Sequence, residues 1–205
     1  MRIKLNAISL LLAPTFYAAS SFFWNTQNEY GTYDTTSGLL LIIGSIFWVP
    51  AFLALFDMLR ERTPNYASWG FLLAVYGCLC GGVAFALRDI LTVVFNIPHH
   101  TMLTTLSQYP VLTNIIFWIG GPAFPISLLI LGIVLAKTNT VPVWVGVLIA
   151  VSGALFPASR ILRIEWIAHV VDFMMLVPLA YLAFQMKRMH SSPANRRRFL
   201  AAQSE

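Results

Sequence analysis

The chain is 205 residues long, 58% hydrophobic and only 10% charged, with a net charge of +5 and a mean hydropathy of +0.74. Soluble domains carry about 25% charged residues, so a soluble fold is excluded. Membrane β-barrels alternate apolar and polar residues over segments of about ten, whereas this chain has long unbroken apolar runs, so it reads as an all-α integral membrane bundle.

At roughly 20 residues per span there is room for six transmembrane helices and no separate soluble domain. The first span covers residues 5–24, behind Arg2 and Lys4, and ends on the aromatic interface anchor Phe22-Phe23-Trp24. Its basic start and the small-residue stretch Ala18-Ala19-Ser20 have some likeness to a secretory signal, but the apolar run is long for that role, and retention as a span is expected. The second span covers 37–59 and ends at Arg60-Glu61-Arg62. The third covers 67–95 and is interrupted near its far end by Arg88-Asp89. Residues 96–110 read as a loop without Lys or Arg. The fourth span is 111–136, closed by Lys137, and the fifth is 141–157, followed by Arg160 and Arg163. The sixth is 164–186, closed by Lys187-Arg188. Residues 1–188 thus form a six-span transmembrane domain, and 189–205 form a basic tail.

Ten of the thirteen Lys and Arg lie at the N-terminus, in the 60–66 turn, at Lys137 and in the C-terminal segment. The positive-inside rule places these, and with them both termini, in the cytoplasm. The remaining three, Arg88, Arg160 and Arg163, fall together at the outer ends of spans three and five. The hairpin of spans four and five, with Pro142-x-Trp144-x-Gly146 after a short turn, resembles hairpins of bacterial multi-pass membrane families. That resemblance implies a bacterial inner (plasma) membrane and carries no activity. Residues 195–200, Asn-Arg-Arg-Arg-Phe-Leu, suit an anionic lipid leaflet at about 1 kcal/mol per basic residue. Membrane orientation accounts for the net charge, and no nucleic-acid module is present.

Spans two and three echo spans four and five. Phe47-Trp48-Val49-Pro50-Ala51-Phe52 matches Phe117-Trp118-Ile119-Gly120-Gly121-Pro122-Ala123-Phe124. Trp69 matches Trp144, and Phe85-x2-Arg88 matches Phe156-x3-Arg160. Both copies start outside, which makes this a parallel repeat, a plan found in some transporters and in inert bundles alike. Gly77, Gly81 and Gly82 in span three and Gly120-Gly121 in span four suit close helix contact. Cys78 and Cys80 read as packing residues rather than a redox pair.

The strongest functional signal is Glu165, His169 and Asp172, at i, i+4 and i+7 on one face of the sixth span. Ionisable groups inside lipid are expensive and face the protein interior. At 1.5 Å per residue, Arg88 lies roughly 30 Å from the cytoplasmic start of span three, and Asp172 about two turns below the outer interface. Arg88, Asp89, Arg160, Arg163, Glu165, His169 and Asp172 therefore form one candidate cluster in the outer half of the membrane. Three readings fit it. One is an ion-pair network stapling spans three, five and six, with His169 bridging the charges. The second is a pocket handling a small molecule or ion, with His169 titrating near neutrality. In the third, His169, Asp172 and Glu165 are acid–base residues of a membrane enzyme acting on a lipid or isoprenoid, or ligands of a metal helped by His99-His100. One histidine on the helix is too few for a metal site, and none is assigned. Tyr76 and Ser152 are further candidates for a pocket wall. No P-loop, dinucleotide fingerprint or His-Glu-x2-His is present, so no cofactor is named.

Overall fold

The computed structural model describes residues 2–24, 33–162 and 164–191. These form seven helices: α1 (Arg2–Ser21), α2 (Thr35–Leu59), α3 (Pro64–Val94), α4 (His99–Ser107), α5 (Pro110–Lys137), α6 (Val143–Leu162) and α7 (Glu165–Ser191). Helix is the only regular structure among the described residues apart from one antiparallel β-bridge, Trp24 to Tyr33. The all-α membrane class expected from composition is therefore what the chain adopts.

Local chemistry sets the helix starts. Asp34 caps α2, its carboxylate accepting the Ser37 N–H at 2.7 Å. Pro64 and Pro110 open α3 and α5, where a missing N–H costs nothing. Asn139 adopts a left-handed φ of 49° just beyond α5, a conformation Asn tolerates better than most residues. Residues 96–110, expected to be a loop, instead contain the nine-residue helix α4. Its Thr104 and Thr105 hydroxyls donate to carbonyls one turn back, so they are satisfied within the helix itself.

Five helices, α2, α3, α5, α6 and α7, are long and apolar enough to cross a membrane. Six such spans were expected. Helix α1 has the length of α6, at 20 residues, but carries Arg2, Lys4 and Asn6 in its first turns. Its place in the bundle is set by packing on α2 and α7.

Around the bundle, α2 packs on α3, α3 on α5, α5 on α6 and α6 on α7. An aromatic cluster fills the centre. Tyr17 of α1 meets Phe124 of α5 at 5.4 Å between ring centroids, Trp48 of α2 meets Phe124 at 5.2 Å, and Phe124 meets Phe156 of α6 at 5.3 Å. Edge-on and tilted pairs at this spacing add to their burial energy. Glycines let the flanking helices close in. A Cβ on Gly132 would run into the backbone of Gly146 and Ala150, and one on Gly77 into the backbone at Ala123 and Phe124. Where α3 meets α5, two segments widen to i→i+5 bonding, Cys78–Ala84 and Asn114–Ile119. At the far end from α4, the Arg62 guanidinium donates to the Thr138 carbonyl and ties the α2–α3 turn to the α5–α6 turn.

Candidate functional site

Two arginines define the α4 end of the bundle, each held in the same way. Arg160, in the last turn of α6, donates from Nη2 to Asp172 Oδ1 of α7 at 2.9 Å. Its Nη1 donates to Ser159 Oγ at 3.0 Å. The guanidinium lies 4.2 Å from the Phe156 ring centroid, one turn back, and 5.0 Å from that of Trp24. Asp172 is fully buried. Arg88 of α3 donates from Nε and Nη2 to Oδ1 of its neighbour Asp89, at 2.8 and 2.6 Å. It lies 4.9 Å from the Phe85 ring, again one turn back, and 5.5 Å from that of Phe117. Contacts of this range let an aromatic face stabilise a cation where water is absent.

The β-bridge between Trp24 and Tyr33 spans both pairs. Trp24 stacks its ring under Arg160 and edges onto Tyr33 at 6.0 Å. The Tyr33 backbone N–H donates to Asp89 Oδ2 at 3.3 Å, and its phenol lies beside the Arg160 guanidinium. Burial raises the Tyr33 phenol above its ordinary pKa, with Arg160 pulling the other way, so the hydroxyl stays protonated at neutral pH.

Between α3, α4, α5 and α6 lies a cavity of about 520 Å³. That is within the range of small-molecule sites. Its polar lining is Arg88, Asp89, Arg160, Tyr33 and His99, with the hydroxyls of Ser107 and Thr113, each of which donates to a nearby carbonyl. Its apolar walls include Leu103 and Leu106 of α4, Phe117 and Pro122 of α5, and Phe156 of α6. Helix α4 lies across one side. On the rim, Trp118 and Ile161 are 73% and 77% exposed, on helices that cross the membrane.

The residues expected to share one cluster divide into two groups. Arg88, Asp89 and Arg160 line the cavity. Glu165, His169 and Asp172 do not. Asp172 is bound by Arg160 from the α7 side, and Glu165 is exposed. His169 faces α1. Its Nδ1 shares a hydrogen bond with Ser21 Oγ at 2.9 Å, and the imidazole stacks on Phe22 at 4.1 Å. His169 therefore does not bridge the arginines, and Arg88 pairs with its own neighbour rather than with the last helix. Among the described residues no three His, Cys, Asp or Glu converge in a metal-binding arrangement. Arg163 and the basic segment 192–205 lie outside the described residues. Tyr76 donates to the Ile115 carbonyl and Ser152 to that of Leu148 at 2.7 Å, and neither faces the cavity.

Three buried atoms in the group have no hydrogen-bond partner among the described residues, Arg160 Nε, Asp172 Oδ2 and Trp24 Nε1. The Ser21 hydroxyl lies beside Asp172 without reaching Oδ2 in bonding geometry. Sequence reasoning missed Tyr33 and the α4 wall. The available signal for α4 was the spacing of Leu103 and Leu106, three apart on one helical face, in a segment too polar to attract a helical reading. In comparisons with known proteins, the chain matches no family model, no curated protein and no solved structure.

Proposed function

We propose that this multi-pass membrane protein binds a small molecule in the cavity between α3, α4, α5 and α6. The observation that carries the reading is the convergence of Arg88 and Arg160 from two different helices on one mostly apolar cavity. A pair of arginines that served only to staple helices needs no cavity between them. Apolar walls with a few convergent polar groups are the usual composition of a ligand site.

His169 and Asp172 do not line this cavity, so this reading gives them no direct part in binding. The test is a thermal-shift screen of purified protein against membrane-soluble small molecules, run beside Leu106→Trp, which fills the cavity from α4. Some compounds should raise the wild-type Tm by several degrees and leave Leu106→Trp unmoved, as mass action on the folded state requires. If every compound that stabilises the wild type stabilises Leu106→Trp equally, the cavity is not the binding site.

A further inference from the structure

We infer that the cavity takes a single-chain amphiphile with an anionic phosphate or carboxylate head, entering from the membrane. This rests on the reading of the cavity as a ligand site and adds the chemistry of its ligand.

The head is assigned from donors. The cavity wall presents the guanidinium ends of two ion pairs, Arg88–Asp89 and Arg160–Asp172. Of the two carboxylates only Asp89 lines the cavity, so donors outnumber acceptors on that wall. A guanidinium has five N–H donors. Arg88 commits only Nε and Nη2 to Asp89, which leaves Nη1 outside that pair. Arg160 spends one N–H of Nη1 on Ser159 and one of Nη2 on Asp172 and also bonds the Tyr33 phenol, so its remaining donor toward the cavity is on an Nη, while its Nε is buried away from it. Both guanidinium groups border this one cavity. The protonated Tyr33 phenol adds a further donor on the same wall. Planar forks of this kind recognise phosphate and carboxylate oxygens by paired hydrogen bonds.

The tail is assigned from the walls and the rim. Leu103, Leu106, Phe117 and Pro122 offer no partner to a second polar group. Trp118 and Ile161 are apolar, strongly exposed and carried by membrane-crossing helices, so that side of the cavity faces acyl chains rather than water. A free anion would use only the arginine wall, and a polar solute would leave the apolar walls wet.

The experiment uses full-length protein in a non-ionic maltoside detergent. Binding is measured for dodecyl phosphate, dodecyltrimethylammonium and inorganic phosphate, against wild type, Arg88→Gln/Asp89→Asn and Leu106→Trp. Removing Arg88 with its partner avoids leaving a buried unpaired charge. Dodecyl phosphate should bind at least about tenfold more tightly than the cationic amphiphile, the worth of one or two charge-assisted hydrogen bonds. The double variant, which keeps Arg160 but loses the Arg88 donor, should reduce that preference, and Leu106→Trp should lose binding. Inorganic phosphate binding as tightly as dodecyl phosphate would assign a free anion and overturn the amphiphile. Equal binding of both amphiphiles, abolished by Leu106→Trp, would overturn the anionic head and leave the cavity a ligand site. Binding of none of the probes, or binding untouched by Leu106→Trp, would overturn this inference, and the thermal-shift screen then decides the cavity separately.

Discussion

At the scale of single residues, the Arg160–Asp172 pair is where the fold is most exposed to damage. Asp172 is fully buried and Arg160 nearly so. Removing one partner of a buried pair costs about 3–5 kcal/mol, because the other charge stays desolvated. Arg160→Gln is therefore expected to lower the thermal midpoint by about 10 °C in detergent. Arg160→Gln/Asp172→Asn, which removes both charges, should recover most of that loss. Circular-dichroism melts of the three proteins check it, and an Arg160→Gln variant melting with the wild type would show that water already solvates Asp172. This pair was legible in the sequence, since an Asp two turns into hydrocarbon requires a cation and few were at its depth. The Arg88–Asp89 pair was not. Adjacent residues point about 100° apart on a helix, so a side chain folding back on its neighbour is invisible to face arithmetic. Tyr33 was equally hidden, since its bond to Asp89 is a backbone N–H that any residue but Pro could supply.

Among the elements, α3 departs most from simple helical geometry. From Trp69 to Arg88 is 19 positions, whereas from Trp144 to Arg160, the matched stretch of α6, is 16. The i→i+5 segment Cys78–Ala84 lies within this longer stretch and takes up one of the three surplus positions. Such a segment holds one extra residue in a turn without rotating the helix beyond it. Deleting Leu79, which is exposed and lies inside it, should therefore let the turn tighten to an ordinary helix and keep Arg88 on the cavity. Deleting Leu72, equally exposed but in regular helix, should swing Arg88 by about 100°. Size-exclusion profiles and melting midpoints separate the two: near-native for the first deletion, collapsed for the second. Equal damage from both would mean that the wide turn is fixed by its own contacts, such as Gly82 against Ser45 and Tyr17. The glycines of α3 were readable as close-contact positions. The widening was not, because i→i+5 bonding has no composition of its own. Nor was the α5–α6 seam of Gly132, Gly146 and Ala150 singled out, since small residues are common in every apolar helix.

For the whole molecule, composition alone made the membrane class legible, because a chain with 10% charged residues has no way to cover itself with polar surface. The number of spans was less so. Helix α1 turns Leu5 and Ile8 outward and buries Asn6 and Ser9 against the bundle, so its polar residues lower its apolar character without facing outward. Topology follows from the turns. Arg62 binds across to Thr138, which gathers Arg60, Arg62 and Lys137 at the end opposite α4. Helix α3 runs between these ends, so Glu61→Cys and Thr104→Cys should react with an impermeant maleimide from opposite faces of the membrane. Positive-inside bias predicts Thr104→Cys labelled from outside. The native Cys78 and Cys80 are buried and should give little background. Labelling of both positions from one side would rule out α3 as a span.

The short bridge from Trp24 to Tyr33 has a consequence for how mutations combine. One strand of it carries a ring against Arg160, and the other holds Asp89 by its main chain. Loosening either ion pair therefore releases the segment that restrains the other. Substitutions on α3 and α6, on helices that neither pair joins directly, are then thermodynamically coupled. In a double-mutant cycle of Asp89→Asn with Phe156→Leu, the combined loss should fall short of the sum by roughly 0.5–3 kcal/mol, the interaction energy of residues in one network. With Tyr33 replaced by Pro, which has no N–H to give Asp89, the same cycle should close to additivity.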